Sequence, residues 1–296
     1  MRVGAHAVRG EDPWYPAAGM SDTRPIGVFD SGVGGLTVLR ELRRQAPAER
    51  LLYIADLAHF PYGPRPQAEV RRLALGLIDT LSGLDTKLVV IACNTATAAA
   101  LNAARERFDI PIVGVIAPGA QAAVAATRNG RVAVISTEGT MRSQEYVHAI
   151  KEANPSVAVL GLAPPGLVEI VEEGDGDTAR ADGALRAALD PVFAWSADTL
   201  VLGCTHYPLL RAALDRVVQG SMRVIDSAET TAARVRRILQ VNRLNAGARG
   251  HGGLEVMVTA APQRFTRTAA LLFGDEVPVA RVVSPRTALL RALPAT

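Results

Sequence analysis

The sequence predicts an α/β protein of two doubly wound lobes with mainly parallel sheets, pseudo-symmetric, with a ligand cleft between them. Three observations lead there. Short continuous apolar runs alternate with amphipathic helical stretches, the pattern of a parallel sheet covered on both faces. Small polar residues and glycines stand where several of the runs end, which is where such sheets bind ligands. The strand-end pattern of one half of the chain also returns in the other.

Taken in order, residues 1–24 mix Gly, Pro and charge without periodicity. They are expected to form a disordered extension, with Met20 a candidate start. The first strand is expected at Ile26–Phe29. Further runs fall at Leu51–Ile54, Leu88–Ala92, Ile112–Ile116, Arg131–Ile135, Val157–Leu160, Thr199–Gly203, Arg223–Ile225 and Leu254–Thr259. They are short, rich in branched apolar residues and bounded by turn formers, so they are assigned as strands. Between them, apolar residues at helical spacing predict helices over Leu36–Gln45, Ala68–Leu81, Ala96–Arg107, Gln144–Ala153, Ala179–Ala194 and Thr230–Leu239. The Gly-rich stretch 244–253, LNAGARGHGG, precedes a last strand–helix unit and is expected to be a flexible surface loop without chemistry.

Composition narrows the function classes. The 296 residues are 49% hydrophobic and 21% charged, so the chain can bury a core. Lys and Arg number 32 against 29 Asp and Glu, and a net charge of +3 gives no argument for nucleic acid. The only lysines are Lys87 and Lys151, which matters for any cofactor held as a Schiff base. Cys93 and Cys204 stand far apart and form neither a disulfide framework nor a CxxC pair, so a reduced, cytoplasmic protein is expected. No apolar stretch reaches the roughly 18 residues of a membrane helix. The N-terminus lacks the apolar segment of a secretory signal.

The two cysteines occupy matching places. LVVIACNT (88–95) and TLVLGCTH (199–206) are each an apolar strand, a small residue, a Cys and two polar residues. IGVFDSG (26–32) and VAVISTEGT (132–140) echo one another as well, and the interval from Asp30 to Cys93 nearly equals that from Thr137 to Cys204. Two similar lobes, each supplying one strand-end thiol, would place two sulfurs on opposite sides of one ligand. Each Cys also sits where a strand gives way to a helix, whose N-terminus lowers a thiol's pKa and binds carboxylate. Asn94, Thr95, Thr205 and His206 follow directly as donors or caps. A free Cys is otherwise a small buried hydrophobe, and that bland alternative stays open for each thiol alone. Together, opposed thiols can remove a proton from a carbon acid on one face and return one on the other. That is two-base racemisation, which needs the two groups unequally protonated. Asp30, ending the first strand, is the leading carboxylate to tune them.

DSGVGGLTV (30–38), PYG (61–63), ACNTATA (92–98) and LGCTHYPLL (202–210), in this order, resemble the glutamate racemases of the aspartate/glutamate racemase family. ISTEGTMRSQEY (135–146) is similar to the family's corresponding second-lobe segment. The resemblance implies a cofactor-independent amino-acid racemase of cell-wall (peptidoglycan) synthesis acting on glutamate, commonly a homodimer. It implies that Cys93 and Cys204 are the paired base and acid, with Asp30 beside Cys93 and His206 beside Cys204. By the same resemblance, Asp30, Ser31, Tyr62, Gly63, Asn94, Thr95, Thr205 and His206 bind substrate, and Thr137 and Thr140 line the second lobe's side. The family's acidic position matches Glu172 in PPGLVEIVEEG (164–174), where Pro164 replaces the usual cysteine. Asp56 fits another acidic position. The lobes are then expected at 25–117 with about 226–285, and at 118–225, with residues 286–296 a C-terminal tail.

Competing readings are weaker. Gly32-x-Gly34 lacks the third glycine of GxGxxG, and no GxxxxGK[ST] occurs, so the glycines let backbone pass a small ligand. Lys87 is expected at the far end of its strand from the site, which disfavours a pyridoxal enzyme. Cys93, Cys204 and His206 lack the close spacing of a zinc site, and no metal is expected. His59 and His148 are read as surface or core residues. Glu172 and Asp56 could each be a solvated or bracing carboxylate. Within the family, aspartate racemases usually carry Glu rather than His after GCT, so His206 favours glutamate. A binding role such as DNA gyrase inhibition, reported for some glutamate racemases, remains a reading of a different class. No membrane or nucleic-acid partner is expected.

Overall fold

The structure is a computed structural model that describes residues 21–247, 250–274, 277–278 and 280–285. Most of the expected N-terminal extension and all of the C-terminal tail lie outside the described residues. Residues 21–24 do not: Asp22 is buried and its carboxylate accepts from the Arg24 backbone and guanidinium.

The chain first lays down β1 (Ile26–Asp30), α1 (Leu36–Gln45), β2 (Leu51–Ala55), α2 (Gln67–Ser82), β3 (Leu88–Ile91), α3 (Asn94–Arg107) and β4 (Ile112–Gly114). It crosses to a second lobe of α4 (Ile116–Ala126), β5 (Arg131–Ser136), α5 (Glu138–Ser143), α6 (Glu145–Ala153), β6 (Ala158–Leu162), α7 (Leu167–Glu172), α8 (Ala179–Ala194) and β7 (Thr199–Gly203). A 3-10 turn over Tyr207–Leu210, α9 (Arg211–Val218) and β8 (Arg223–Asp226) complete that lobe. The chain then returns through α10 (Ser227–Val241), β9 (Leu254–Val258), α11 (Pro262–Phe273) and β10 (Arg281–Val282).

The first sheet has the order β10-β9-β2-β1-β3-β4 and the second β6-β5-β7-β8, with every described pairing parallel. The cores follow from pleating. In β3, Leu88 and Val90 join the cluster under α1 and α10, while Val89 and Ile91 join the cluster under α2 and α3. In β5, Ala133 and Ile135 face α7, α8 and α9, and Val132 and Val134 face α4 and α6. Alternate residues thus bury into opposite layers, which explains why the strands are apolar throughout.

The two sheets share one topology. In each, the first strand lies between the second and third, and the fourth lies outside the third. That order creates a switch point between first and third strands, β1/β3 and β5/β7, where successive crossovers leave in opposite directions and open a crevice. Asp30 ends β1, Cys93 follows β3, Thr137 follows β5 and Cys204 follows β7. The sequence echo is therefore a topological repeat, and its four polar ends are the four switch-point ends.

Some boundaries differ from expectation. The run 112–116 splits at Gly114, because Ile116 opens α4 with Pro118 tolerated in its first turn. The helix expected from Gln144 begins at Glu145, since Gln144 takes a left-handed conformation between α5 and α6. α3 starts at Asn94, capped by Cys93, and α10 at Ser227, capped by Asp226. Part of the Gly-rich stretch is anchored: Leu244 and Ala246 are buried, and the Ala246 N–H donates to Glu49 Oε1 at 2.8 Å. Glu49 Oε2 accepts from the buried Lys87 ammonium at 2.5 Å, and Lys87 also donates to the Asp22 carbonyl at 2.6 Å.

Candidate active site

The facing switch points enclose a narrow cavity of about 30 Å³, well below the usual size of ligand sites. Both thiols line it, with Ser31, Tyr62, Gly63, Asn94, Thr95 and Thr137 from opposite walls. Thr205 and His206 complete the lining, together with Pro61 of the PYG segment and with Phe60 and Val168, to which the sequence assigned no role. Proximity in sequence to PYG was the available signal for Phe60. A larger groove runs along β8, α4, α9 and α10 and touches neither thiol. The convergence of polar ends, rather than size, marks the smaller cavity as the site.

Cys93 is the N-cap of α3, and its Sγ accepts from the Ala96 N–H at 3.4 Å and lies 3.8 Å from Ser31 Oγ. These contacts favour a thiolate, yet burial and the negative field of Asp30 outweigh them and push the thiol up to about 12. Asp30 is fully buried beneath it. Its Oδ2 accepts from the Gly32 and Gly35 N–H groups at 3.2 and 3.0 Å, and Thr205 Oγ1 donates to Oδ1 at 3.4 Å. Burial raises its pKa, against the opposing pull of His206 and these N–H groups. Gly35 has to be glycine, because a Cβ there would lie 2.5 Å from the Asp30 Cβ.

Cys204 has different company. Its Sγ lies 3.9 Å from His206 Nδ1, and His206 Nε2 is 3.0 Å from Glu172 Oε1 at the end of α7. Burial opposes the imidazolium, but Cys204, Glu172 and Asp30 together raise His206 to about 10. The loop after β1 presses on this pair: a Cβ on Gly34 would meet His206 Nδ1 and Thr205 Oγ1, each at 2.5 Å. Thr37 Oγ1 donates to the carbonyls of Gly34 and Thr205 at 2.8 and 3.1 Å, which ties the lobes beside the thiol.

The remaining residues form the walls. Thr95 from the first lobe and Thr137 and Thr140 from the second make a triangle of hydroxyls with sides of 2.8, 3.2 and 3.0 Å. Thr140, Asp30, Glu172 and Asp56 stand behind the lining rather than in it. Asn94 Oδ1 accepts from Tyr146 Oη at 2.8 Å, while its buried Nδ2 has no hydrogen-bond partner among the described residues. A buried amide donor left unmatched at a cavity wall is available to an acceptor on a ligand. Asp56 is buried under the PYG segment, which follows a cis Phe60–Pro61 peptide, and accepts from Tyr62 Oη at 2.5 Å. His59 Nδ1 lies 3.0 Å from both Asp56 oxygens. His148 lines a separate groove against α3 and α4.

Neither lysine reaches the cavity. Lys87 precedes β3 at the end opposite Cys93, and Lys151 donates to the Pro155 carbonyl at the end of α6. Among the described residues, no three His, Cys, Asp or Glu side chains are grouped as a metal site needs. No described helix is long and apolar enough to cross a membrane.

Comparison with known proteins agrees with this architecture. A glutamate racemase of Streptococcus agalactiae serotype III is 41% identical over 263 residues, covering 88% of this chain and 99% of its own. The crystal structure of a glutamate racemase from Bacillus anthracis superposes with a TM-score of 0.83 at 38% identity, covering 88% of this chain and 97% of that one. One from Francisella tularensis, solved in complex with D-glutamate, gives 0.83 at 28% identity, with 90% and 99% covered. The family model described as Asp/Glu/Hydantoin racemase matches residues 26–235. With two parallel-sheet lobes meeting at paired thiols, and with relatives aligned over most of its length, the chain belongs to the Asp/Glu/hydantoin racemase family of amino-acid isomerases.

Proposed function

We propose that this protein interconverts L- and D-glutamate by proton transfer between Cys93 and Cys204. The observation that carries the reading is that two thiols with unlike neighbours line one cavity. Burial and Asp30 keep Cys93 as a thiol, while His206, held by Glu172, faces Cys204 from the other side. In this reading Cys204 is the base for L-glutamate, and its Sγ takes the α-proton. Cys93 Sγ then gives its own proton to the opposite face, and the product leaves as D-glutamate. The reverse reaction starts from the other arrangement, in which Cys93 is the base, and no proton is gained or lost overall.

The carbanion formed between these steps delocalises into the α-carboxylate, so donors must meet that carboxylate. Asn94 Nδ2 and the N-terminus of α3 are the groups available. Asp30 supplies negative charge on the side of Cys93 to balance the substrate ammonium, and Glu172 holds His206 in its charged orientation. Glutamate rather than aspartate is supported by His206 after Cys204 and by the glutamate racemases that align over most of the chain. The D-glutamate formed is of the kind that peptidoglycan synthesis consumes.

The test is racemisation in D₂O without pyridoxal or metal, followed by circular dichroism and by NMR of the α-proton. Product of inverted configuration carrying α-deuterium, lost in Cys93→Ala and Cys204→Ala, would support the two-thiol mechanism. If neither glutamate enantiomer nor aspartate exchanges its α-proton, the reading falls.

A further inference from the structure

The family model ends at residue 235, yet two side chains from beyond it reach the residues that support the cavity. The first is Thr259, directly after β9. Its Oγ1 donates to Asp56 Oδ1 at 2.7 Å and accepts from the Ala58 N–H at 2.9 Å, and its own N–H donates to the Ala55 carbonyl at 3.1 Å. Asp56 in turn holds Tyr62 on the cavity wall. Both Asp56 oxygens are occupied, by His59 and Tyr62 from the loop and by Thr259 from the returning chain.

The second is Arg264, on α11. Its Nη2 lies 3.7 Å from Glu172 Oε2, the oxygen that His206 does not use. Its guanidinium also sits 5.8 Å from the centre of the Phe60 ring, whose other neighbour is the His206 ring at 6.2 Å. Arg264 therefore touches Glu172 of the second lobe and Phe60 of the first where they close over His206. Glu173, directly after α7, is taken by Arg180. Asp30 and Cys204 face His206 from β1 and the end of β7.

We propose that the β9–α11 unit is a positioning module for the active site: Thr259 braces the substrate-binding wall through Asp56 and Tyr62, and Arg264 braces the acid–base pair through Glu172 and His206. This rests on the racemase reading for its kinetic consequences but not for its geometry. The two braces act on different quantities. Tyr62 and Gly63 belong to the wall that holds substrate, so loosening Asp56 weakens binding in ground and transition states alike. Glu172 and His206 act on the proton-transferring thiol, so freeing Glu172 lowers the chemical step. The Arg264 pair is half exposed, which limits its effect and makes it sensitive to salt.

The experiment compares Thr259→Val and Arg264→Gln with Arg267→Gln, an exposed arginine on the same helix without an ion pair among the described residues. Thr259→Val is expected to raise KM for both enantiomers about 3- to 10-fold with kcat nearly constant, and Thr259→Ser to restore it. Arg264→Gln is expected to lower kcat about 2- to 5-fold and to remove the salt dependence of kcat at saturating substrate, with Arg264→Lys recovering part of both. In the ligand-free protein, NMR should show Tyr62 ring resonances moving in Thr259→Val and His206 ring resonances moving in Arg264→Gln. Arg267→Gln should leave all of these unchanged. If either variant matches Arg267→Gln in kinetics and spectra, the proposal is overturned. If the wild-type chain moves no α-proton, the racemase reading fails instead, while the spectra still decide whether the braces exist.

Discussion

His206 carries the pH behaviour of the second lobe's side of the site. An ordinary histidine is neutral above about 6.5, but here burial is overcome by Cys204, Glu172 and Asp30, and the proton is held to about 10. A folded-state value above the unfolded one contributes stability that is complete below about 6.5 and lost as the pH rises through 10. Catalysis should follow the same proton. The basic limb of kcat/KM is expected near pH 10, ahead of the ionisation of Cys93 at about 12. In His206→Asn that limb should disappear from the profile along with most of the activity. A wild-type profile that already falls near pH 7 would show that His206 is neutral in the working enzyme. At this scale much was legible: ten of the cavity's thirteen lining residues are ones that the sequence singles out by number. Thr259 and Arg264 were not legible, because a single polar side chain after a strand or on an exposed helix face carries no motif. Their roles exist only once β9 pairs with β2 and α11 meets α7.

Elements were read best where apolar contrast is high. The central strands β1, β2, β3 and β7 emerge as runs because each is buried on both faces, and Ala179–Ala194 is found to the residue. α4 was missed: IAPGAQAAVAA is almost uniformly small and apolar, so it offers no polar face to reveal helical periodicity. α5 and α7 are each six residues, too short for a periodic signal. The same elements differ in how they tolerate change, and two glycines test this. Gly183 lies exposed within α8 with open space where a Cβ would go, so Gly183→Ala should stabilise the fold by about 0.5–1 kcal/mol and leave activity alone. Gly34 is the opposite case, since its Cβ would overlap His206 and Thr205 across the lobe boundary. Gly34→Ala should cut activity far more than stability, because the lobes can part slightly while the thiol's partner cannot stay in place. Thermal melts and kcat on both variants check the pair. A Gly34→Ala enzyme of wild-type activity would mean that the loop after β1 does not set the position of His206.

At the scale of the whole molecule, two lobes of one topology place unlike chemistry on either side of a substrate whose two forms are mirror images. Cys93 has Asp30 and Ser31; Cys204 has His206 and Glu172. In an achiral solvent the two enantiomers of glutamate have equal free energy, so their equilibrium constant is one. The ratio of kcat/KM in the two directions must equal that constant, however different the lobes are. Asymmetry between the thiols can therefore show only in kcat and KM taken separately. Substituting a residue that serves one thiol, as in His206→Asn, should lower kcat/KM for L- and D-glutamate by the same factor. It should change their kcat values unequally, because the bound states preceding proton transfer to Cys204 and to Cys93 are no longer perturbed alike. Asp30→Asn should split the kcat values in the opposite sense, since it acts from the side of Cys93. Full progress curves from each enantiomer, fitted together, give all four constants. Equal kcat values in both variants would mean that each substitution touches both proton transfers equally, and the assignment of one thiol environment to each lobe would have to be given up.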